Sequence, residues 1–571
     1  MGLKKIQLFI TAISIIAFYS CNNHFDSKES RLINRLNKKG DKYYEKGIEN
    51  NINYEKAISF YTQAASFNDS YAETKLGDIY KTEIDGKHDY IEAIKWYTKA
   101  AERDYPQAQY KLGRMYFDGN GVEQDYKVAL NWFEKSAELN NTDAMVDVGV
   151  CYIMGGGVEQ NFEEALQWFK KAAEYNNCRA QRNIGLMYED GFGVEQDYKE
   201  AMAWFLKAAE QNDATSQSKI GDMYRRGEGV EKDYKEALIW YEKAAQQNED
   251  NALYGIGVLY YEGNGVNKDY KEAYNYFETA AKHNNDFAQD ILGYMYQKGL
   301  GVEQNYNEAL KWYNKAAIQD NASAQFNLGI MYSEGYGVNK NYTEAFKWLL
   351  KAAEQDYPAA QNNVGSFYYN GTGVNQDYNE ALKWFRKAAE QGELMAIKNL
   401  AGMYYHGVVV KKDYSKAFDL FMKSAEGGNE LAQNTIGLMF YNGEGVNKDY
   451  EQAFIWCKKS AEQNCGEAQY NLGLFYEQGI GVTQDYKKAV EWYRKAAEQG
   501  DNAAIWRLGY MFEYGLGVDQ DYKKAFELYK KAAELNHKGA QRDLAHLYEN
   551  GYGVQKDQNQ ANFWYRKSRE K

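Results

Sequence analysis

The chain has 571 residues, more than one hydrophobic core can organise, so a single compact globule is excluded. Only two prolines, Pro106 and Pro358, stand beside 50 glycines and 53 tyrosines, which leaves long helices uninterrupted. The formal net charge is −13, with lysine and arginine scattered among aspartate and glutamate, so the basic face that nucleic-acid binding requires is missing.

The N-terminus differs from everything after it. "MGLKKIQLFITAISIIAFYSC" starts with Lys4 and Lys5, continues as an apolar run and ends in Ser20-Cys21. That is the layout of a secretory signal, too short for a stable membrane span. A cysteine directly after a small residue resembles a bacterial lipoprotein signal, which implies removal of residues 1–20 and a lipid on Cys21. Phe18 and Tyr19 depart from the aliphatic and small residues of that pattern, and an ordinary secretion signal or an uncleaved anchor is the alternative. Residues 21–31 read as a polar tether. Cys151, Cys178, Cys457 and Cys465 do not recur at matched positions and read as small core thiols.

From about Leu32 the sequence repeats. A glycine preceded by Leu, Ile or Val recurs at Gly77, Gly113, Gly149, Gly185, Gly221 and onward to Gly509, always at multiples of 36 residues. Tyr44, Ala57 and Ala64-Ala65 extend the register backwards, so fifteen units of 36 residues reach Lys571. Such strictness means that each unit packs on its neighbours in one way, as in a solenoid.

Each unit reads as two helices. Ala108, Leu112, Met115 and Tyr116 form one apolar stripe (helix A), and Tyr126, Ala129, Trp132, Phe133 and Ala137 form another (helix B). Trp132 and Phe133 are expected to fill the space between layers, and Gly113 to permit close helix contact. Gly119 belongs at the end of helix A, where a left-handed residue terminates a helix cheaply. Asp125 belongs at the N-cap of helix B, and pairs such as Asp197 with Glu200 or Asp377 with Glu380 predict a reciprocal capping box. The recurring Gly-x-Gly, as at Gly119/Gly121, has no preceding strand, no third glycine and many copies, so it reads as a turn and not as a phosphate cradle.

"AQYKLGRMYFDGNGVEQDYKVALNWFEKSAE" resembles a Sel1-like repeat, a relative of the tetratricopeptide repeat. The resemblance covers residues 68–571 as fourteen units. The unit at 32–67 departs from it, with Asp41 in place of the Leu-Gly glycine and no glycine pair at Lys46–Glu49, and looks more like a plain tetratricopeptide. The resemblance implies an all-α fold: a right-handed α-α superhelical solenoid of about fifteen helix-turn-helix repeats, with A helices lining a concave face. It also implies an adaptor or scaffold for other proteins. Gln558 and Asn562 replace the residues corresponding to Tyr522 and Phe526, so the last unit reads as a polar cap.

Little in the sequence reads as catalysis. The six histidines are scattered, no HExxH occurs, and the carboxylates fall at caps and on solvated faces, so no catalytic residue, metal or cofactor is assigned. Binding is better supported, because the stripe of helix A opposite its core varies from unit to unit. At the position of Tyr110 stand Tyr254, Phe326, Tyr470 and Trp506; at that of Phe117 stand Tyr261, Tyr369, Tyr405 and Tyr441. At the position of Lys111, asparagine recurs at Asn327, Asn363 and Asn399, and related tetratricopeptide grooves use such an asparagine to hold a peptide. Exposed aromatics along a groove match partner recognition. The expectation is an exported, non-enzymatic, monomeric scaffold for protein or peptide partners, lipid-anchored in a bacterial cell envelope or secreted. The rivals are a cell-wall or β-lactam hydrolase of the cysteine-rich Sel1-like type, whose paired cysteines are missing, and a eukaryotic lumenal adaptor of the Sel1 type.

Overall fold

The computed structural model describes residues 28–46, 54–82 and 88–570, which hold thirty helices and no strand. The signal at 1–20 and Cys21 lie outside the described residues. The chain divides into two units, Met1–His283 and Asn284–Lys571, each a stack of antiparallel A/B hairpins whose helices are mostly 12 or 13 residues long. The first helix is described over 28–46, so residues 28–31 of the stretch read as a polar tether are helical. Its middle has a tertiary reason to form: Leu36 is buried against Ala57, Tyr61 and Leu76, and Asn37 Nδ2 donates to Asp69 Oδ1 at 2.9 Å.

In helix A Pro106–Asp118 and helix B Tyr126–Glu138, Ala108, Leu112, Met115, Ala129, Phe133 and Ala137 are buried as their spacing predicts. Gly113 is where the two helices meet most closely. A Cβ there would lie 2.6 Å from the Phe133 ring, so the ring occupies the space a side chain would need. Trp132 differs from expectation. It is only half-buried, its edge packing on the preceding unit's core and its face covered by Lys135 Nζ at 4.5 Å. The same lysine-over-tryptophan contact recurs through both units, as at Trp204 with Lys207 and Trp384 with Lys387, so the tryptophans form an outer, solvent-shielded layer.

The turn between the helices packs on the preceding unit. Gly119, at φ +70°, ends helix A, and a Cβ on Gly121 would lie 2.5 Å from Tyr90 Cβ in the previous B helix. The second glycine therefore exists so that one turn can seat on the start of the preceding B helix. Asp125 caps helix B by accepting from the amides of Lys127 and Val128 at 2.9 and 3.0 Å. The capping box forms only in half. Asp197 accepts from the Glu200 amide at 3.1 Å, but its own amide already donates to the Tyr188 carbonyl at 2.9 Å. The glutamate is left for other work, as where Glu380 pairs with Lys383.

Polar side chains tie successive units together at fixed register. Gln211 donates to Gln181, Gln355 to Gln325 and Gln391 to Gln361, at 2.7 to 2.9 Å and always 30 residues apart. Arg103 and Glu73 replace this amide pair by an ion pair in the first unit. The thiols of Cys151, Cys457 and Cys465 are buried and free, as expected of core residues, whereas Cys178, at the start of its helix, is only half-buried; burial pushes Cys457 up to about 12.

Candidate functional site

Neighbouring A helices touch one another: Ser70–Lys81 with Pro106–Asp118, and Ala214–Arg226 with Asp250–Glu262, and, in the second unit, Asp286–Lys298 with Ala322–Glu334. No pair of consecutive described B helices does so to the same extent, so within each unit the A helices line the inner surface. The variable stripe read from the sequence lies on this surface.

Its rings rest partly on the layer beneath. Tyr254 lies 5.7 Å from Phe277, Tyr261 5.2 Å from Tyr270, and Tyr470 5.9 Å from Tyr493, all half-buried. Phe326 meets Tyr357 at 5.3 Å, and Tyr441 lies between Tyr450 and Phe475. The asparagines bridge successive A helices: Asn327 Nδ2 donates to Asp290 Oδ1 at 3.1 Å and Asn399 Nδ2 to Asn362 Oδ1 at 2.9 Å. Trp506 Nε1 reaches Asp543 in the same way at 2.7 Å, and Asn363 is half-buried on its helix.

Three of these residues, Tyr369, Asn399 and Tyr405, come together in a pocket of about 510 Å³ on the inner surface of the second unit. Helices Pro358–Asn370, Leu394–His406 and Glu430–Asn442 supply its walls. Phe385 and Phe421, from the two intervening B helices, form its floor together with Met403 and Met439. Tyr405 donates to Glu444 at 2.7 Å; burial and this bond push its hydroxyl up to about 12, so it stays a neutral donor at physiological pH. Lys398, which no site assignment from the sequence included, points its ammonium to Asn399 Oδ1 at 3.1 Å, and burial lowers its pKa. The pocket exists because Ser366 and Gly402 occupy the position at which other units carry Arg114, Val150, Leu186, Ile330 or Leu438. Written as a column, that position would have disclosed the gap.

A second pocket, of about 480 Å³, gathers Trp506, Tyr510, Glu513, Asp543 and His546 and is more polar. Glu513 accepts from the Tyr529 hydroxyl at 2.6 Å, and burial raises its carboxyl above the usual range. Both pockets offer hydrogen-bonding groups around aromatic surface, which is the chemistry of recognition.

A stack of interlocked A/B hairpins with a variable inner surface defines an α-solenoid of the protein-interaction class. The Sel1 repeat model matches fifteen successive stretches, from 40–66, 70–105 and 106–141 through to 502–537 and 539–571. The chain belongs to the Sel1 repeat family, whose members generally bind protein partners. It is similar to a protective antigen of uropathogenic Escherichia coli displaying the Sel1-like repeat fold, at 34% identity over 80% of this chain and 97% of that one, with a TM-score of 0.57. It is also similar to a Sel1 repeat protein from Oxalobacter formigenes, at 36% identity over 43% of this chain and 96% of that one, with a TM-score of 0.41. No curated protein matches the chain.

Proposed function

We propose that this protein is an exported, non-enzymatic scaffold that binds protein or peptide partners on the inner surface of its A helices and is tethered through Cys21. One observation carries the binding reading. Residues that recur every 36 positions maintain the hairpins, whereas the inner positions change from unit to unit and open into a pocket at Tyr369, Asn399 and Tyr405. Export rests on the basic, apolar and Ser20-Cys21 sequence at the N-terminus, and the Escherichia coli relative is itself a protective antigen. The envelope of a bacterium is the compartment this reading assigns.

Affinity capture with the mature chain, beside a variant carrying Tyr369→Ala, Tyr405→Ala and Tyr441→Ala, tests the surface. Specific partners should be lost from the variant while its helicity is kept; recovery of identical proteins by both would refute the assignment. Metabolic labelling with a fatty acid, abolished by Cys21→Ala, tests the tether separately.

A further inference from the structure

Gly402 is an anomaly among the glycines of the A helices. A Cβ at Gly113, Gly149, Gly185 or Gly365 would strike an aromatic ring of the adjoining B helix, so those positions have a packing reason to lack a side chain. At Gly402 a Cβ would meet nothing within 4 Å. A glycine inside a helix costs up to ~1 kcal/mol relative to alanine, and here no close approach offsets the cost. What the missing side chain leaves is open space, bounded below by Phe385 and Phe421 and at the side by Met403 and Met439.

The second feature is charge. Lys398 stands on the same helix one turn earlier and lines the same pocket. No described carboxylate forms an ion pair with it; Glu430 and Glu467 act on it only at longer range, and its hydrogen bond is to the Asn399 amide. Elsewhere on the inner surfaces such cations are paired: Arg182, at the register position of Lys398, with Asp213, and one position further on Lys111 with Asp78, Lys219 with Glu189 and Arg507 with Glu477. A half-buried ammonium beside an aromatic floor lacks the anion that its counterparts possess.

Building on the inner-surface reading above, we infer that the pocket between Ser366, Gly402 and Leu438 seats one bulky apolar side chain of a partner polypeptide, with an adjacent carboxylate of that polypeptide paired to Lys398. The volume suits a large aromatic or aliphatic side chain together with the flanking backbone, whose amides and carbonyls meet Asn370, Asn442 and the Tyr369 hydroxyl at the rim. The Lys398 ion pair then selects among apolar anchors, because an anchor without an acid leaves the ammonium covered and unpaired.

The test is a selection from a random peptide library displayed on phage against the immobilised full chain, followed by binding of the enriched sequences as end-blocked synthetic peptides. Enriched peptides should carry Phe, Tyr, Leu or Met within two residues of Asp or Glu. Gly402→Leu fills the pocket with the residue that Leu438 already supplies at the matching position, so helicity and thermal melting should hold while affinity falls by at least about tenfold. Changing the peptide acid to its amide should cost about tenfold against the wild type and nothing against Lys398→Met. Enriched peptides without an acid, or with undiminished affinity for Gly402→Leu, would overturn the inference. If those peptides instead lose affinity for Trp506→Ala, the inner-surface reading survives and only this pocket is wrong. If no peptide binds the wild type, both fall. Binding of sodium octanoate with the same dependence on Gly402, in the absence of any enriched peptide, would assign the pocket to a small apolar acid and likewise overturn the inference.

Discussion

Two stretches of the second unit's inner surface use the same register positions for opposite chemistry. From Tyr369 to Tyr441 the surface is aromatic, and the residues sixteen positions later, in the B helices beneath, are Phe385, Phe421 and Cys457. From Glu477 to Glu549 it is acidic, and the residues beneath are Tyr493, Tyr529 and Tyr565. The difference traces to one oxygen atom. A tyrosine in the B helix sends its hydroxyl up to the inner surface, where it needs an acceptor: Tyr529 donates to Glu513 at 2.6 Å and Tyr565 to Glu549 at 3.0 Å. Phenylalanine makes no such demand, so a ring can lie over it, as Tyr405 lies over Phe421 at 6.4 Å. Tyr313 with Gln297, at 2.9 Å, shows that a neutral amide serves as well as an acid.

The largest effect should come from breaking one acidic pair. Tyr529→Phe removes the donor to a carboxylate only 6% exposed, and leaving such a group short of a partner costs about 2 kcal/mol. Adding Glu513→Tyr recreates the pairing seen at Tyr405 and Phe421 and should recover most of that loss. Because repeat arrays unfold unit by unit, the readout is hydrogen-exchange protection of helices Asn502–Tyr514 and Tyr522–Glu534. Additive losses in the double variant would dissolve the rule of one oxygen.

A smaller change sharpens the same comparison. Burial raises the Glu513 carboxyl above its ordinary 4.5, with Asp543 adding to the shift. The folded state therefore binds this proton more tightly than the unfolded chain does. The resulting stabilisation is present in full below about 4.5 and is lost as pH rises through the raised value. Glu513→Gln, which copies Gln297, should then raise the local stability at neutral pH, and the gain should vanish in acid. An equal gain at both pH values would show that charge is not the cause.

How far the sequence disclosed all this depends on whether the signal lies within one unit or across several. The 36-residue register, the buried alanines and the Gly119 turn were legible because each repeats the same local physics in every unit. The candidate rings were legible as positions but not as a site. Tyr254, Tyr261, Tyr369, Tyr405 and Tyr441 all settle against neighbouring rings, and of these only Tyr369 and Tyr405 also border the pocket of about 510 Å³. That pocket depends on what is absent at Ser366 and Gly402 and on Lys398 between them, a combination spread over adjacent units. The first helix was legible from about Leu32 by its register, but not its extension back to 28, because the residues that hold this helix in place, Leu36 and Asn37, find their partners tens of residues away.

The ladder of glutamines extends the lesson to a second pair of positions. Met145 with Tyr175 and Ile505 with Leu535 make both partners apolar, and seven units make both glutamine. Gln109 faces Leu139 instead, and its buried Oε1 has no hydrogen-bond partner. Leu139→Gln should therefore stabilise helix Pro106–Asp118 by about 0.5–1 kcal/mol, read as slower amide exchange there. A loss would mean that Leu139 contributes more by its own burial than the orphaned oxygen costs.

The smallest effect belongs to the aromatic stretch itself. Its middle unit carries Val409 where twelve others place the second turn glycine, and Val409 holds φ +48°. A β-branched residue in the left-handed region costs about 1–3 kcal/mol, and Val409 is 46% exposed, so little packing offsets it. Glycine would relieve the strain but add freedom to the unfolded chain worth about 0.4–1 kcal/mol. The net gain from Val409→Gly should be about 0.5 kcal/mol, visible as a slightly higher melting temperature. It should also leave peptide affinity at the Gly402 pocket unchanged, because Val409 does not line it. If affinity falls as stability rises, the strained turn sets the position of helix Leu394–His406, and the pocket owes its shape to backbone tension as well as to the missing side chain at Gly402.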